Sequence, residues 1–295
     1  IHVYYEQEHA SVRIVDTHTN IVQIEKNWQV IFEDKTTSLE LKADHSALIM
    51  KQIWDFSQTV DIDDVKEILD RQITCNMAIA NEGIHNSYGA NIGHVILNMD
   101  SDCVKTRAKA YAAAGSDARM NGCELPVVIN SGSGNQGITC CVPVVVYAKE
   151  LDCTQEQLYR ALVLSNLTAI YIKTGIGTLS AFCGAVSAGA AAGAGIAYLH
   201  NGTYKEIQHT IVNTLAILSG TICDGAKASC AAKIASSVDA GIMGYYMYKN
   251  KQQFYAGDGI VAHSVDETIQ NIGTLGSQGM LQTNDKIIEM MISCD

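Results

Sequence analysis

Three cysteines in the second half of the chain have the residue type and the spacing for a metal centre. Cys183, Cys223 and Cys230 stand as Cys-x39-Cys-x6-Cys, beginning in a Gly/Ala-rich segment and ending in GTICDGAKASCAAKIA. Three thiolates in an iron–sulfur cluster would leave one iron open for a substrate. The spacing is equally compatible with a catalytic zinc site of three ligands plus water, or with buried cysteines that act only as small apolar side chains.

The short spacing between the last two cysteines predicts a loop. On one continuous helix, Cys223 and Cys230 would lie about 10 Å apart along the axis, too far for one small cluster. We therefore expect a loop at Asp224-Gly225-Ala226, with Cys223 ending one helix and Cys230 opening the next, where the helix N-terminus stabilises a thiolate. Cys294, beside the last residue, is either an exposed tail thiol or a fourth ligand or plug that folds back.

A glycine-rich segment between the apolar runs LPVVI and ITCCVPVVV has the composition of an anion-binding turn. Its backbone N–H groups at the mouth of a helix would suit a substrate carboxylate. It lacks the Gly-Lys-Ser/Thr of a nucleotide-binding loop, and a flexible loop is the alternative. The candidate substrate-binding residues are Asn130, Ser131, Gly132, Ser133, Gly134, Asn135 and Gln136, with Ser131, Ser133 and Asn135 expected nearest the substrate.

Two histidines in the stretch NEGIHNSYGANIGH are candidates for proton transfer. His85 and His94 have side chains whose ordinary pKa lies near neutral pH, so either can act as an acid or a base. A solvated turn accounts for the same residues equally well.

The composition describes a globular chain with a small partner. With 295 residues, 47% of them hydrophobic, the chain can bury one large core or two modest ones. Its net charge of −11 argues against nucleic acid or an anionic membrane as a partner. The run Ala185 to Leu199 is short for a membrane span, and its Ala and Gly residues predict a buried helix. Ten cysteines in a long chain without a signal-like start favour reduced thiols in the cytoplasm.

The N-terminal part has the alternation of a β-meander. The segment SVRIVDTHTNIVQIEKNWQVIF alternates β-branched and polar residues, with turn signals at Asp16 to Asn20 and at Lys26-Asn27. The chain opens at Ile1 with what is already a strand pattern, from which we expect a missing N-terminal part. Residues 1–36 are therefore predicted to be the β-rich remnant of a smaller α/β domain.

The rest of the chain has helical spacing, beginning at about Ser38. One predicted helix has an acidic first turn with Asp61, Asp63 and Asp64, which complements the helix dipole. The C-terminal segment predicts two amphipathic helices separated by a turn. The fold class predicted from these patterns is α+β, predominantly α-helical, with residues 37–295 forming a helical bundle.

Four motifs together resemble a known family. INSGSGNQGITCCVPV, FCGAVSAGAAAGAGIAYL and ICDGAKASCAAKIASSVDA, with the strand segment DTHTNIVQIEKN, resemble the serine dehydratase α-chain family, most closely its L-cysteine desulfidase branch. The resemblance covers nearly the whole chain. It implies a [4Fe–4S] enzyme that is independent of pyridoxal phosphate, with Cys183, Cys223 and Cys230 as cluster ligands. The loop between the last two cysteines is shorter than in the serine enzymes.

The resemblance also implies a reaction, namely β-elimination from a small L-amino acid after a base removes the α-proton. For L-cysteine and water the products are pyruvate, ammonia and hydrogen sulfide, and the loop from Asn130 to Gln136 would bind the carboxylate. The desulfidase branch has an N-terminal Gly-Cys-Thr-Glu-Pro motif with the proposed base cysteine, which this sequence lacks, so His85 and His94 stand as catalytic candidates. L-serine dehydratase and a non-catalytic amino-acid-binding or interaction module are the alternatives, and a homodimer is the expected assembly.

Overall fold

The computed structural model describes residues 1–15, 20–34, 45–177 and 180–293 of the chain. The chain forms two compact units, Ile1–His45 and Ser46–Asp295. About 63% of the chain is helical, and a small antiparallel sheet lies at the N-terminus. The predicted α+β class with a predominance of helix is therefore confirmed. The predicted boundary between residues 36 and 37 lies outside the described residues.

The N-terminal unit is a four-stranded antiparallel meander in the order β1-β2-β3-β4. Its strands are β1 (His2–Tyr5), β2 (Glu8–Ile14), β3 (Ile21–Lys26) and β4 (Gln29–Glu33). The predicted turn after Lys26 is confirmed, because Asn27 and Trp28 both have positive φ, as the tight two-residue turn of a hairpin requires. Most of the predicted turn at Asp16 to Asn20 lies outside the described residues.

The second unit is built from helices whose starts are marked in the sequence. Asp61 caps one helix through the Asp63 amide, and three later helices begin with a Ser/Thr-x-x-Glu/Gln capping box. The described helices are α1 (Met50–Thr59), α2 (Ile62–His85), α3 (Ile92–Met99), α4 (Val104–Met120), α5 (Gly134–Glu150), α6 (Gln155–Ile176), α7 (Gly184–Leu199), α8 (Tyr204–Ile217), α9 (Cys230–Lys249), α10 (Val265–Thr274) and α11 (Leu281–Ile292).

The predicted start of a helix at about Ser38 lies outside the described residues. Residues 35–44 lie outside the described residues, residues 45–49 are not helical, and α1 starts at Met50. The amide of Met50 donates a 3.0 Å hydrogen bond to Asp266 Oδ1 at the start of α10. A residue more than two hundred positions away thus fixes this helix start, which local sequence cannot reveal.

Small residues let the central helix α7 approach its neighbours closely. This helix packs against α5, α6, α8 and α9. A Cβ atom at Gly189 would lie 2.5 Å from the Ser237 carbonyl oxygen, and one at Gly193 would lie 2.7 Å from that of Gly241. The Gly/Ala tract therefore allows α7 and α9 to cross almost backbone to backbone, and their N-termini are positioned by this crossing.

The predicted pair of C-terminal helices is present, as α10 and α11. A π-helical turn, Leu275–Gly279, continues directly from α10 and leads into α11. Gly276 within it packs against Ile176 and Phe182, where a Cβ would be 2.9 Å from the nearest Ile176 carbon. Within the described residues, no helix combines the length and apolar character that a membrane-spanning segment requires.

Candidate metal and substrate site

Cys183 and Cys223 are brought side by side by a short backbone pairing. Phe182 and Ile222 form an isolated antiparallel bridge. The Cys183 amide donates to the Thr221 carbonyl at 3.2 Å, and the Cys223 amide donates to the Ala181 carbonyl at 2.6 Å. Cys183 therefore sits at the N-cap of α7 with Cys223 across from it.

Cys223 does not end a helix, so that part of the prediction is wrong. Helix α8 ends at Ile217, six residues earlier, and the chain then turns before it becomes extended. The extended backbone is what allows Cys223 to pair with the segment before α7. The loop between Cys223 and Cys230 is confirmed, and Gly225 takes a φ of +93° there, a conformation suited to glycine.

Cys230 is the first residue of α9, as the spacing predicts. Its Sγ accepts a hydrogen bond from the Lys227 amide at 3.4 Å and lies 3.7 Å from the Gly225 carbonyl oxygen. Lys233, one turn further along α9, forms an ion pair with Asp224 and interacts electrostatically with both Cys183 and Cys230. Lys233 thus lies close enough to both Cys183 and Cys230 to interact with them electrostatically.

The pKa values of Cys183 and Cys223 are shifted in opposite directions. The hydrogen-bonding interaction between them lowers the pKa of Cys223 and, together with burial, raises the pKa of Cys183. Lys233 and Lys173 further favour a Cys223 thiolate. Lys173 in the last turn of α6 is only 8% exposed, and burial lowers its pKa while the two thiols act in the opposite direction. The pair is therefore arranged to carry negative charge beside the buried Lys173 and the half-buried Lys233.

The loop of candidate substrate-binding residues leads directly into α5. Asn130 is 5% exposed and anchors the loop, because its Nδ2 donates to Asn166 Oδ1 at 3.0 Å. Ser131 and Gly132 have positive φ, and the Ser131 hydroxyl donates to Asn130 Oδ1. Ser133 is the N-cap of α5, so its Oγ is directed at the helix amides. The turn at a helix mouth is thus present in the fold, and anion binding by it stays a prediction.

The start of α5 contacts the start of α7. A Cβ atom at Gly184, the residue after Cys183, would lie 2.7 Å from Nε2 of Gln136. Gln136 is 5% exposed, and its Oε1 has no hydrogen-bond partner among the described residues. Ser187, one turn into α7, is also buried and its Oγ is likewise without a partner in the described part of the chain. The candidate loop therefore contacts Gly184, the residue that follows the first candidate ligand.

Arg119 joins the loop to the third cysteine, and sequence reasoning missed it. The residue lies in the last turn of α4, its side chain passes over Gly134, and it interacts electrostatically with Cys230. Lys173 and Lys233 were missed as well. A basic residue in the last turn of a helix is common for reasons of the helix dipole, so the sequence carried no signal that singled out Arg119 or Lys173.

The two candidate histidines occupy helix ends on either side of the α2–α3 connection. His85 ends α2, is exposed, and its Nδ1 donates to the Asn81 carbonyl at 2.7 Å. His94 lies in α3 and interacts electrostatically with Asp117, whose carboxylate accepts the Ile92 amide at the start of that helix. Within the described residues, neither histidine hydrogen-bonds a cysteine or a residue of the loop.

The three cysteines suit a cluster better than a single metal ion. Among the described residues, no group of three or more His, Cys, Asp or Glu side chains is gathered closely enough to hold a single metal ion. A cluster holds its ligand sulfurs further apart than one ion does, and it carries negative charge that nearby cations compensate. Cys183, Cys223 and Cys230, with Lys173 and Lys233 beside them, fit that description. Cys294 lies outside the described residues.

Comparisons with known proteins identify the family of the chain. The sequence model of the serine dehydratase alpha chain family matches residues 5–289. The chain belongs to the serine dehydratase alpha chain family. Its relatives include UPF0597 proteins of Desulfitobacterium hafniense, 56% identical over 99% of the chain and 69% of the relative, and of Lachnoclostridium phytofermentans, 52% identical over 96% and 68%. A UPF0597 protein of Treponema denticola is 47% identical over 95% of the chain and 67% of the relative.

No solved structure gives a significant match to the chain. Serine dehydratase alpha chain proteins are typically dependent on an iron–sulfur cluster, and the family is one of lyase-type enzymes. The family therefore agrees with the chemistry of the three cysteines, whereas the names of the relatives specify no substrate.

Proposed function

We propose that this chain is a pyridoxal-phosphate-independent iron–sulfur lyase that removes the β-substituent of a small L-amino acid, with L-cysteine as the preferred substrate. The observation that carries the proposal is the contact between Gln136 and Gly184. This contact joins the loop that would bind the substrate carboxylate to the cysteine that would hold the cluster.

Cys183, Cys223 and Cys230 would hold a [4Fe–4S] cluster. When bound, such a cluster supplies a Lewis acid at the iron that has no cysteine ligand. Lys173 and Lys233 stabilise the thiolate forms of the ligands through their positive charges. The loop Asn130–Gln136 would hold the substrate by its carboxylate, through the amides at the start of α5.

The reaction balances as an elimination followed by hydrolysis. A base takes the α-proton of L-cysteine, the bond from the β-carbon to sulfur breaks, and sulfide leaves with a proton. The resulting 2-aminoacrylate tautomerises and takes up water to give pyruvate and ammonia. The same steps on L-serine would release water in place of hydrogen sulfide, which is the alternative activity.

Iron loading tests the ligand assignment. After anaerobic reconstitution with iron and sulfide, we expect the full chain to show the broad visible absorption of a cluster. Cys183→Ser, Cys223→Ser and Cys230→Ser should each lose most of the bound iron. Cys103→Ser is the matched control, because Cys103 is exposed at the N-cap of α4, where serine is favourable. Iron binding equal to the parent in all three variants would contradict the assignment.

Product analysis tests the activity separately. The loaded chain should release pyruvate and sulfide in equal amounts from L-cysteine, and pyruvate from L-serine at a lower kcat/KM. A loaded chain that produces neither product from either amino acid would refute the lyase activity without affecting the ligand assignment. The catalytic roles of His85 and His94, the homodimer and the cytoplasmic location all stay predictions.

A further inference from the structure

Arg119 is a partly buried arginine that has no carboxylate partner in the described part of the chain. Its Nη1 reaches Asn135 Oδ1 at 3.3 Å and Met120 Sδ at 3.4 Å. No carboxylate forms an ion pair with it among the described residues. Burial lowers its pKa, and only Cys230 acts in the opposite direction. A cation withdrawn from water without a counter-charge is costly, so a ligand that supplies negative charge would stabilise it.

Gly134 leaves room for the Arg119 side chain at the start of α5. A Cβ atom at Gly134 would lie 2.2 Å from Arg119 Nε, so the guanidinium covers the first residue of this helix. The first amides of an α-helix have no carbonyl partner within the helix and point outward from its end. Ser133 Oγ already accepts the Gln136 amide, so the guanidinium lies beside the amides of Gly134 and Asn135.

Gln136 supplies the complementary group at the same helix start. Gln136 is only 5% exposed, and its Oε1 is an acceptor without a partner in the described part of the chain. The side chain lies against Gly184, on the side of the site that leads to Cys183. An unpartnered buried acceptor is unfavourable unless a ligand donates to it.

A guanidinium and an acceptor on one helix start match the two ends of a zwitterion. We propose that Arg119, with the first amides of α5, binds the α-carboxylate of the substrate, and that Gln136 Oε1 accepts a hydrogen bond from its α-ammonium. The proposal rests on the proposed function for the identity of the ligand as an amino acid. It makes Arg119 the residue that selects free α-amino acids over their amides and over residues within a peptide.

The test uses binding without turnover, on the reconstituted full chain. L-Alanine has no β-substituent to eliminate, and L-alaninamide lacks the carboxylate charge, so both can be titrated calorimetrically. We expect Arg119→Gln to weaken L-alanine binding by about 10- to 100-fold, the range for a lost charge-assisted hydrogen bond. Its effect on L-alaninamide should be less than about threefold, and Arg119→Lys should retain part of the preference for the acid.

Arg107→Gln is the matched control. Arg107 lies on the same helix, α4, and is already paired with Asp102 and with Glu150, the latter at 2.6 Å. We expect this variant to bind L-alanine as the parent does. Iron content and thermal unfolding of each variant show whether the cluster and the fold are retained.

Two results of the binding titrations would overturn the inference. One is an unchanged affinity of Arg119→Gln for L-alanine, including the case in which iron content falls, since Arg119 would then serve Cys230 alone. The other is an equal loss for L-alanine and L-alaninamide. A parent chain that releases no sulfide but discriminates the two ligands through Arg119 supports the inference and refutes only the lyase activity. A parent that eliminates sulfide with a KM insensitive to Arg119→Gln refutes only the inference.

Discussion

The two ends of α7 carry ionisable side chains in opposite surroundings. At the N-terminal end, Cys183 faces Cys223 and lies within the electrostatic influence of Lys233. At the C-terminal end, His200 stacks on Tyr245 with ring centroids 5.1 Å apart and meets the edge of Tyr147 at 6.0 Å. One end is a polar site with cations, and the other is an aromatic pocket.

The difference shows that burial and neighbouring charges outweigh the helix dipole here. The dipole would favour a thiolate at the N-terminal end and an imidazolium at the C-terminal end. At the C-terminal end, burial lowers the pKa of His200, and Lys249 lowers it further. At the N-terminal end the thiolate is favoured on Cys223, across from the helix, whereas the pKa of Cys183 itself is raised, and at the C-terminal end His200 is held neutral.

The largest effect is expected where α7 crosses α9, because this crossing positions both ends. Gly193→Leu would place a side chain against the backbone of Gly241, where even a Cβ has only 2.7 Å to the carbonyl oxygen. We expect the free energy of unfolding to fall by about 3 kcal/mol or more. Urea unfolding measures it, with Gly220→Ala as the control, since a Cβ there meets nothing within 4 Å. Equal stability of the two variants would show that the crossing does not determine the fold.

An intermediate effect is expected for the cations at the N-terminal end. Lys233→Met removes a charge that acts on Cys183, Cys223 and Cys230, so a bound cluster should be lost to a chelator about ten times faster. Lys249→Met is the control, because Lys249 lies at the opposite end of the same helix, 3.5 Å from Glu206. Rates of absorbance loss after chelator addition compare the variants. Equal rates for the parent and Lys233→Met would show that the charge of Lys233 does not stabilise a bound cluster.

The smallest effect is expected at the C-terminal end, as a dependence of stability on pH. The unfolded imidazole has a pKa of about 6.5, and burial holds the pKa of folded His200 below that value. As pH falls from 8 to 5, the unfolded state takes up the proton first, so stability contributed by neutral His200 is lost on acidification.

His200→Phe should therefore lose less stability than the parent over this pH range, as measured by urea unfolding at each pH. His263→Phe, at an exposed histidine, is the control and should follow the parent. Parallel curves of unfolding free energy against pH for the parent and His200→Phe would mean that the aromatic pocket does not lower the pKa of His200.

The sequence predicted those parts of the site that depend on local geometry. Cys230 begins α9 because seven residues on one helix cannot bring it near Cys223. The glycine-rich segment leads into a helix, as predicted, with Ser133 as the N-cap of α5. These properties follow from a few neighbouring residues, and pattern reasoning is well suited to them.

The parts that were missed depend on distant residues. Arg119 and Lys173 look like ordinary basic residues near helix ends, and only the packing of α4 and α6 brings them to the site. The extended conformation of Cys223 comes from its pairing with the segment before α7. In the same way, the start of α1 depends on Asp266. Tertiary contacts determine all of these features, and no local pattern encodes them.

The pairing of Phe182 with Ile222 also sets the order in which the site can be assembled during synthesis. Helices α7 and α8 lie between the two paired residues, so Cys223 cannot meet Cys183 until both helices have left the ribosome and docked. The entropy of closing this long loop is lost before the contacts that stabilise the closed loop can form. With the proposed ligand set, iron delivered to a growing chain would find isolated thiols, and a cluster would be inserted only after the chain had folded as far as α9.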